Sequence, residues 1–392
     1  MSASDFEAFA EAVAARPRGP AAPPEPLRRM AVLGGLSDAR LLAALGVAEG
    51  VEVTLFSAYG AELAALRGGV ALRGAGPVGS YPVDAEGGAP SIRTTASLDE
   101  AVAGAEAIFL TGPTHKKRTY AMVLADHLRD GQALVLAPGR SFSALETAWL
   151  LRAGGCEADV VIVEAQAMPF WWRAEGSALA LSPRAAGAAA TVPAGRSDWL
   201  ERLAPVLGAL RGVPSAVHSG FSDGSGLVEA AALVLGGPAV GDGHAELPFG
   251  AEPLAENQTF RALLGDEHLS VIAALAEERR RVAARFGVRD LPSDEDWLEV
   301  HAGALRGEGA RGVPTAANAR LMLRDALAGS LAPLVDVAGI VGEDVPTSAA
   351  MLAMGSAVLG GGGPAGRSLS AMGVGGTPEE ARKKLEALAG LG

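Results

Sequence analysis

Lysine is nearly missing from this chain: the four lysines among its 392 residues stand as two pairs, Lys116-Lys117 and Lys383-Lys384. With no basic run and a formal net charge of -12, the sequence argues against binding nucleic acid or an anionic membrane, because both need clustered cations to neutralise phosphates. Cysteine is reduced to Cys156, which excludes an intrachain disulfide and a cysteine metal site. That thiol follows an apolar helical segment and is read as packing. No apolar run is long enough to span a bilayer, and the first residues are acidic (Asp5, Glu7, Glu11) where a secretory leader would be basic. The expectation is a soluble, cytoplasmic protein without a metal. What the chain does have is apolar surface: 49% hydrophobic against 20% charged residues over this length predicts full cores in two domains.

Asp5 to Ala15 has helical spacing, and the proline-rich segment Arg16 to Pro26 reads as an extended linker, giving an N-terminal extension over 1–26. The organised part begins at Arg29. An apolar run (Met30 to Leu33), two glycines (Gly34, Gly35), an amphipathic segment (Leu36 to Leu45) and a second β-type run (Val51 to Phe56) predict strand, tight turn, helix and strand, the unit that opens a dinucleotide-binding domain. In the G-x-G-x-x-G/A pattern Gly34 and Ala39 fit the first and third positions, while the middle glycine is replaced by Leu36. Beyond it, helices expected at Ser97 to Ala101, Arg118 to Leu128 and Ser141 to Ala153 alternate with strands at Arg93 to Thr95, Ala107 to Thr111, Gln132 to Ala137 and Asp159 to Glu164. That alternation predicts a parallel, doubly wound sheet over 27–192. After Thr191 the β-rich runs largely stop and helical spacing takes over, so 193–392 is expected to be all α. The charge run Glu277 to Arg285 is read as a solvated helix face.

Three segments resemble the octopine/nopaline (opine) dehydrogenase family. The first is TGPTHKKRTYAMVLADHLRDGQALVLAPG, with Pro113 after one strand and Pro138-Gly139 closing the next. The second is VEAQAMPFWWR, with Glu164 and Arg173. The third and strongest runs from Asn318 to Met354 and carries Asn318, Arg320, Asp325, Gly329, Leu331, Pro333 and Pro346. The resemblance implies a Rossmann domain followed by an all-helical substrate domain. It also implies NAD(P)H-dependent reductive condensation of an α-keto acid with the amino group of an amino acid or amine. The family's catalytic histidine falls on Glu229, with Asp325 as its orienting partner. Two neighbouring carboxylates would tend to share one proton, which would make Glu229 a general acid; the alternative is an acid favoured by a helix N-terminus. His218 and His244 lie nearby in sequence without occupying that position.

Arg320 is a candidate carboxylate clamp, and His115 stands just past a strand end, where open α/β sheets place ligands. Trp171 and Trp172, beside Phe170, are either an apolar wall for the substrate or an interdomain packing patch. Gly34, Gly35, Leu36, Ser57, Pro113 and Pro138 are the expected cofactor contacts. Since a hydroxyl at Ser57 tolerates a 2′-phosphate better than a carboxylate would, the reading leans to NADPH over NADH. Two competing functions remain: a ketopantoate or hydroxyacid type of reductase, weakened because the helical half has no lysine before Lys383, and a non-redox relative using the cleft for condensation or binding. A homodimer is possible.

Overall fold

Residues 24–86, 90–236, 259–361 and 366–391 are described in a computed structural model. The expected helix over 5–15, the linker up to residue 23, His244 and residues 362–365 of the glycine-rich stretch lie outside them.

The first domain is built on an eight-stranded sheet. Its strands are β1 (Arg29–Leu33), β2 (Glu52–Phe56), β5 (Ile92–Thr95), β6 (Ala107–Leu110), β7 (Ala133–Leu136), β8 (Val161–Ala165), β11 (Ala188–Val192) and β12 (Arg211–Gly212). They run in the order β12-β11-β8-β7-β6-β1-β2-β5, parallel except where β11 meets β8. The central strands are apolar on both faces because helices cover both, and their side chains alternate between two cores. Ala31, Leu33, Ile108 and Leu110 enter one; Met30, Val32, Ala107 and Phe109 enter the other. Helices α1 (Ser37–Ala48), α2 (Gly60–Leu66), α3 (Leu98–Val102), α4 (Thr114–Leu124), α5 (Ser143–Ala153) and α6 (Ser197–Leu207) complete the doubly wound layer. Strand β12 carries the sheet past the expected boundary at residue 192.

A second, four-stranded sheet, which the sequence did not suggest, joins β3 (Val70–Gly74) and β4 (Gly79–Tyr81) to the hairpin of β9 (Phe170–Glu175) and β10 (Ala178–Pro183). Strands β3 and β10 pair across more than a hundred positions of the chain, Ala71 opposite Ala178, so no local pattern announces the pairing. It fixes the Trp171-Trp172 segment as a strand rather than the end of β8. Helix α4 also starts four residues before the expected Arg118. Pro113 supplies its N-cap backbone, and the first N–H, that of Thr114, donates to Asp325 from the other domain (2.7 Å), a tertiary cap that no local rule could show.

The second domain comprises α7 (Ala216–Ser222), α8 (Ser225–Val234), α9 (Asp266–Arg285), α10 (Asp294–Ala302), α11 (Ala316–Ala326), α12 (Ala332–Val341), α13 (Pro346–Val358) and α14 (Pro378–Leu388), with a π turn (Leu327–Leu331) between α11 and α12. Leu227, Leu275, Trp297, Leu323 and Leu331 centre its own core. Helices α12 and α14 instead return to the first domain, Leu334, Val337 and Leu385 sharing a core with Leu134 and Leu136. The charge run on α9 is not wholly solvated: Glu278 accepts N–H groups of Thr347 and Ser348 at the start of α13 (2.7 and 2.8 Å), and Arg279 is fully buried. No described helix is long and apolar enough to cross a membrane.

Glu164 is fully buried at the end of β8; one oxygen accepts the Ala144 N–H (3.2 Å) and the Ser219 hydroxyl (3.3 Å), and the other has no partner. Burial pushes its carboxyl up to about 7, with Arg367 pulling the other way. Because this folded pKa is raised, ionisation at Glu164 costs stability progressively as pH rises from about 4.5 to 7. Glu164→Gln should therefore leave the melting temperature unchanged near pH 4.5 and raise unfolding stability by roughly 3 kcal/mol at pH 8, as read by urea denaturation at the two pH values.

Candidate active site

Strand order reverses between β1 and β6, and the loops after these two strands form the crevice in which open α/β sheets hold ligands. Gly34 takes a left-handed φ of +134°, and a Cβ there would overlap the Thr111 hydroxyl, which donates to the Leu33 carbonyl (2.8 Å). Only glycine lets the two loops meet this closely. Leu36, in the middle-glycine position, is extended (φ -81°, ψ -178°) and gives α1 no side-chain cap; it is 44% exposed, directed to solvent. Asp38, in the first turn of α1, accepts the Ala39 N–H (3.0 Å) with one oxygen and the Gly112 N–H (2.5 Å) with the other. At the far side of the loop Glu62 bonds the Ser57 hydroxyl, covers Gly35 and lies 3.9 Å from the Lys116 ammonium. A glycine turn, an uncapped helix start and a carboxylate beside the β2 end fit a dinucleotide: pyrophosphate at α1, ribose hydroxyls toward Glu62 and Ser57.

Across the crevice a line of charges joins the domains. Arg140, following Pro138-Gly139 at the β7 end, donates from Nε to Asp325 (3.0 Å) and from Nη1 to Glu229 (2.8 Å). Glu229, buried in the second turn of α8, takes a second guanidinium on its other oxygen from Arg311 Nη2 (2.9 Å). The two carboxylates therefore do not share a proton, as the sequence alone suggested; a guanidinium stands between them, and both Glu229 oxygens accept. Burial raises Asp325, but Arg140 and Lys117 outweigh it and hold its carboxyl below the ordinary range. The Lys117 ammonium bonds the Pro138 carbonyl; burial brings it down to about 8 against the pull of Asp325 and Asp38.

Beside this line lies a hub. Asp223 is fully buried and accepts from Ser141 N (2.9 Å) and Oγ (3.0 Å), Ser225 N (2.9 Å) and Ser330 Oγ (2.5 Å). Burial works against its charge, yet Arg140, His301 and Arg279 keep it well below the usual carboxylate range. Arg367 bridges Glu146 (2.8 Å) and the Gly329 carbonyl (3.0 Å). Buried charges of this kind persist because each has partners.

The predicted residues separate here. Glu229 and Asp325 are brought together through Arg140, and Pro113 and Pro138 flank the crevice. Trp171 is buried against Arg311 and Arg184, whose guanidinium carbons lie 4.8 and 3.8 Å from its ring centre. Trp172 instead donates to Ser37 Oγ (3.0 Å) at the start of α1. His115 is exposed, and His218 pairs with Ser215 (3.0 Å). Arg320 is not turned to Asp325: five residues earlier on α11, it lies about 140° round the helix and donates to the Leu359 carbonyl (2.9 Å) at the end of α13. Sequence reading missed Arg140, Arg311, Arg184 and Asp223. Only Arg140 carried a signal, its place directly after a β-strand and its Pro-Gly turn.

Removing the shared cation should be costly. Arg140→Met is expected to lower unfolding stability by about 3–5 kcal/mol at pH 7, the scale for stranding buried charges. Because burial raises the Asp325 carboxyl and Arg140 is the main charge that opposes it, the acid stranded in the variant takes up a proton as pH falls, and the deficit should shrink toward pH 4 in urea titrations.

No family model matches the chain. An opine dehydrogenase of Arthrobacter sp. (strain 1C) is 25% identical over 279 residues, 68% of this chain and 74% of that one. The structure of octopine dehydrogenase in complex with NADH and agmatine superposes with a TM-score of 0.63 at 17% identity, covering 93% of this chain and 98% of that one. A ketopantoate reductase from Ralstonia eutropha JMP134 gives 0.56 at 14% identity, covering 85% and 98%. With a Rossmann domain, a helical domain and sequence likeness over two thirds of its length, the chain is similar to the opine dehydrogenases.

Proposed function

We propose that this protein is an NAD(P)H-dependent oxidoreductase that reduces the C=N bond of an imine formed from an α-keto acid and an amino acid or amine. The observation that carries the reading is the pair of carboxylates, Glu229 and Asp325, held at the crevice by one arginine. When bound, the reduced nicotinamide supplies a hydride. The species that accepts it most readily is a protonated iminium, a cation, which negative groups stabilise. Reduction of a ketone instead develops negative charge on oxygen and needs a proton donor there.

The amine attacks as the free base, its ammonium proton going to solvent, and Glu229, accepting from two guanidiniums as a carboxylate, is suited to face the iminium. Arg140 and Arg311 are engaged by Glu229 and, for Arg140, by Asp325, so they do not replace the positive charge that the family's histidine would carry, and activation of the keto acid carbonyl is weaker here. Asp325 positions Arg140. Condensation releases water, and reduction consumes one hydride and one proton.

The second reading, a hydroxyacid type of reductase, is favoured by one observation, the buried Lys117 ammonium beside Asp325. The two are told apart by whether cofactor oxidation with a keto acid requires an added amine.

Ser57 alone supported NADPH. Glu62 bonded to it supports NADH, because a carboxylate repels the 2′-phosphate and accepts ribose hydroxyls. A cytoplasmic homodimer is part of the proposal, read by sedimentation and by fractionation of cells.

Calorimetry should give binding of NADH more tightly than NADPH, and Glu62→Gln should shift that preference on the order of 10-fold toward NADPH. Glu229→Gln should keep cofactor affinity and lower amine-dependent turnover about 10²-fold. Failure of both nicotinamides to bind at millimolar concentration would remove the redox reading.

A further inference from the structure

Arg140 and Arg311 are both spent on Glu229 and, for Arg140, on Asp325. Arg184, just past the end of β10, is not. Its Nε donates to the Val300 carbonyl (2.9 Å), and its guanidinium carbon lies over the Trp171 ring, 3.8 Å from its centre. Among the described residues it has no carboxylate within ion-pair distance. The charge that acts on it most is another cation, Arg311; Glu229 comes after that and is already taken. Burial and this like charge push its guanidinium down to about 9. A poorly solvated cation without a counter-ion is costly, and the cost is relieved by an anion.

A second donor is also uncommitted. Trp171 is 7% exposed and its indole N–H has no acceptor; it lies against Gly303. Arg184 and Gly303 both line a cavity of about 540 Å³, whose other charged residues are Arg261, Glu295, Glu299 and Glu308. Two lining cations against three anions leave the cavity with a net charge of -1. One carboxylate can be held at the arginine, but a second would meet the glutamates.

We propose that Arg184 and the Trp171 N–H form the anchor for the carboxylate of a small monocarboxylic acid, and that the glutamates at the cavity wall select against dicarboxylates. The guanidinium fork supplies paired donors to the carboxylate oxygens, and Trp171 keeps the fork in plane from behind. The identification of this acid as the keto substrate rests on the function proposed above; the anion site itself does not.

The test is calorimetric binding of oxamate, an unreactive monocarboxylate of pyruvate size, with malonate as the dicarboxylate probe, each with and without NADH. Wild type should bind oxamate and discriminate against malonate. Arg184→Met, which keeps the stem over Trp171, should weaken oxamate on the order of 10²-fold with NADH affinity unchanged. Trp171→Phe, which removes only the N–H, should weaken it about 10-fold, and Arg184→Lys should fall between wild type and Met. Because the guanidinium is unneutralised without ligand, the unliganded melting temperature of Arg184→Met should hold or rise, whereas a purely structural arginine would lose several degrees. Oxamate binding unchanged in both Arg184 variants, or malonate bound as tightly as oxamate, would overturn the proposal. Arg184-dependent oxamate binding in a protein that binds no nicotinamide would leave the anion site standing and remove only the redox reading.

Discussion

The arrangement depends on one guanidinium divided between two domains' chemistry. Arg140 belongs to the Rossmann sheet, while Asp325 and Glu229 belong to two different helices of the second domain. Both carboxylates draw on that cation, Glu229 together with Arg311 and Asp325 together with Lys117, and the cation could not stay buried without them. Around this line the same logic recurs in the Asp223 hub and in Arg367, whose partners also come from both sides of the seam. Docking of the domains and assembly of the site are thus one event, held by charges that have no other place to be neutralised.

Much of the fold is written locally. The buried strands β6, β7 and β8 announce themselves as apolar runs bounded by turns, and Gly34 marks the first crevice loop by a backbone requirement that only glycine meets without strain. The helical half follows from spacing alone. What was illegible is what depends on partners far away in sequence. The four-stranded side sheet pairs residues 70–81 with 170–183, and the early start of α4 is set by a carboxylate from residue 325. Glu278 and Arg279 read as surface charge because their run is charged, yet one caps α13 and the other fills the seam.

At the site, the pairing of Glu229 with Asp325 was legible as a coincidence of positions but not as an interaction, because the residue that mediates it comes from a third place in the chain. Residue type alone pointed to a carboxyl pair sharing a proton. In the function proposed above, the guanidinium changes the role from donation of a proton to stabilisation of a cation, and with it the kind of double bond the crevice suits. Arg320 shows the opposite error: its sequence neighbourhood with Asp325 suggested a common target, but helical phase separates them.

Helical phase also explains the π turn. In an uninterrupted α-helix, residues five apart point in directions about 140° different, so Asp325 could not face Arg140 while Ser330 faces Asp223. The π turn over Leu327–Leu331 holds one residue more per turn and brings Ser330 round to Asp223 (2.5 Å) while Asp325 keeps Arg140. Between them Gly329 passes so close to the Arg140 stem that a methyl group there would touch it. A single surplus residue in the winding thus works as a phase adjuster: it lets one continuous rod of helix address two separate partners, a donor on the neighbouring domain and an acceptor on its own, and it makes the spacing between residues 325 and 330 as fixed a requirement as the identity of either.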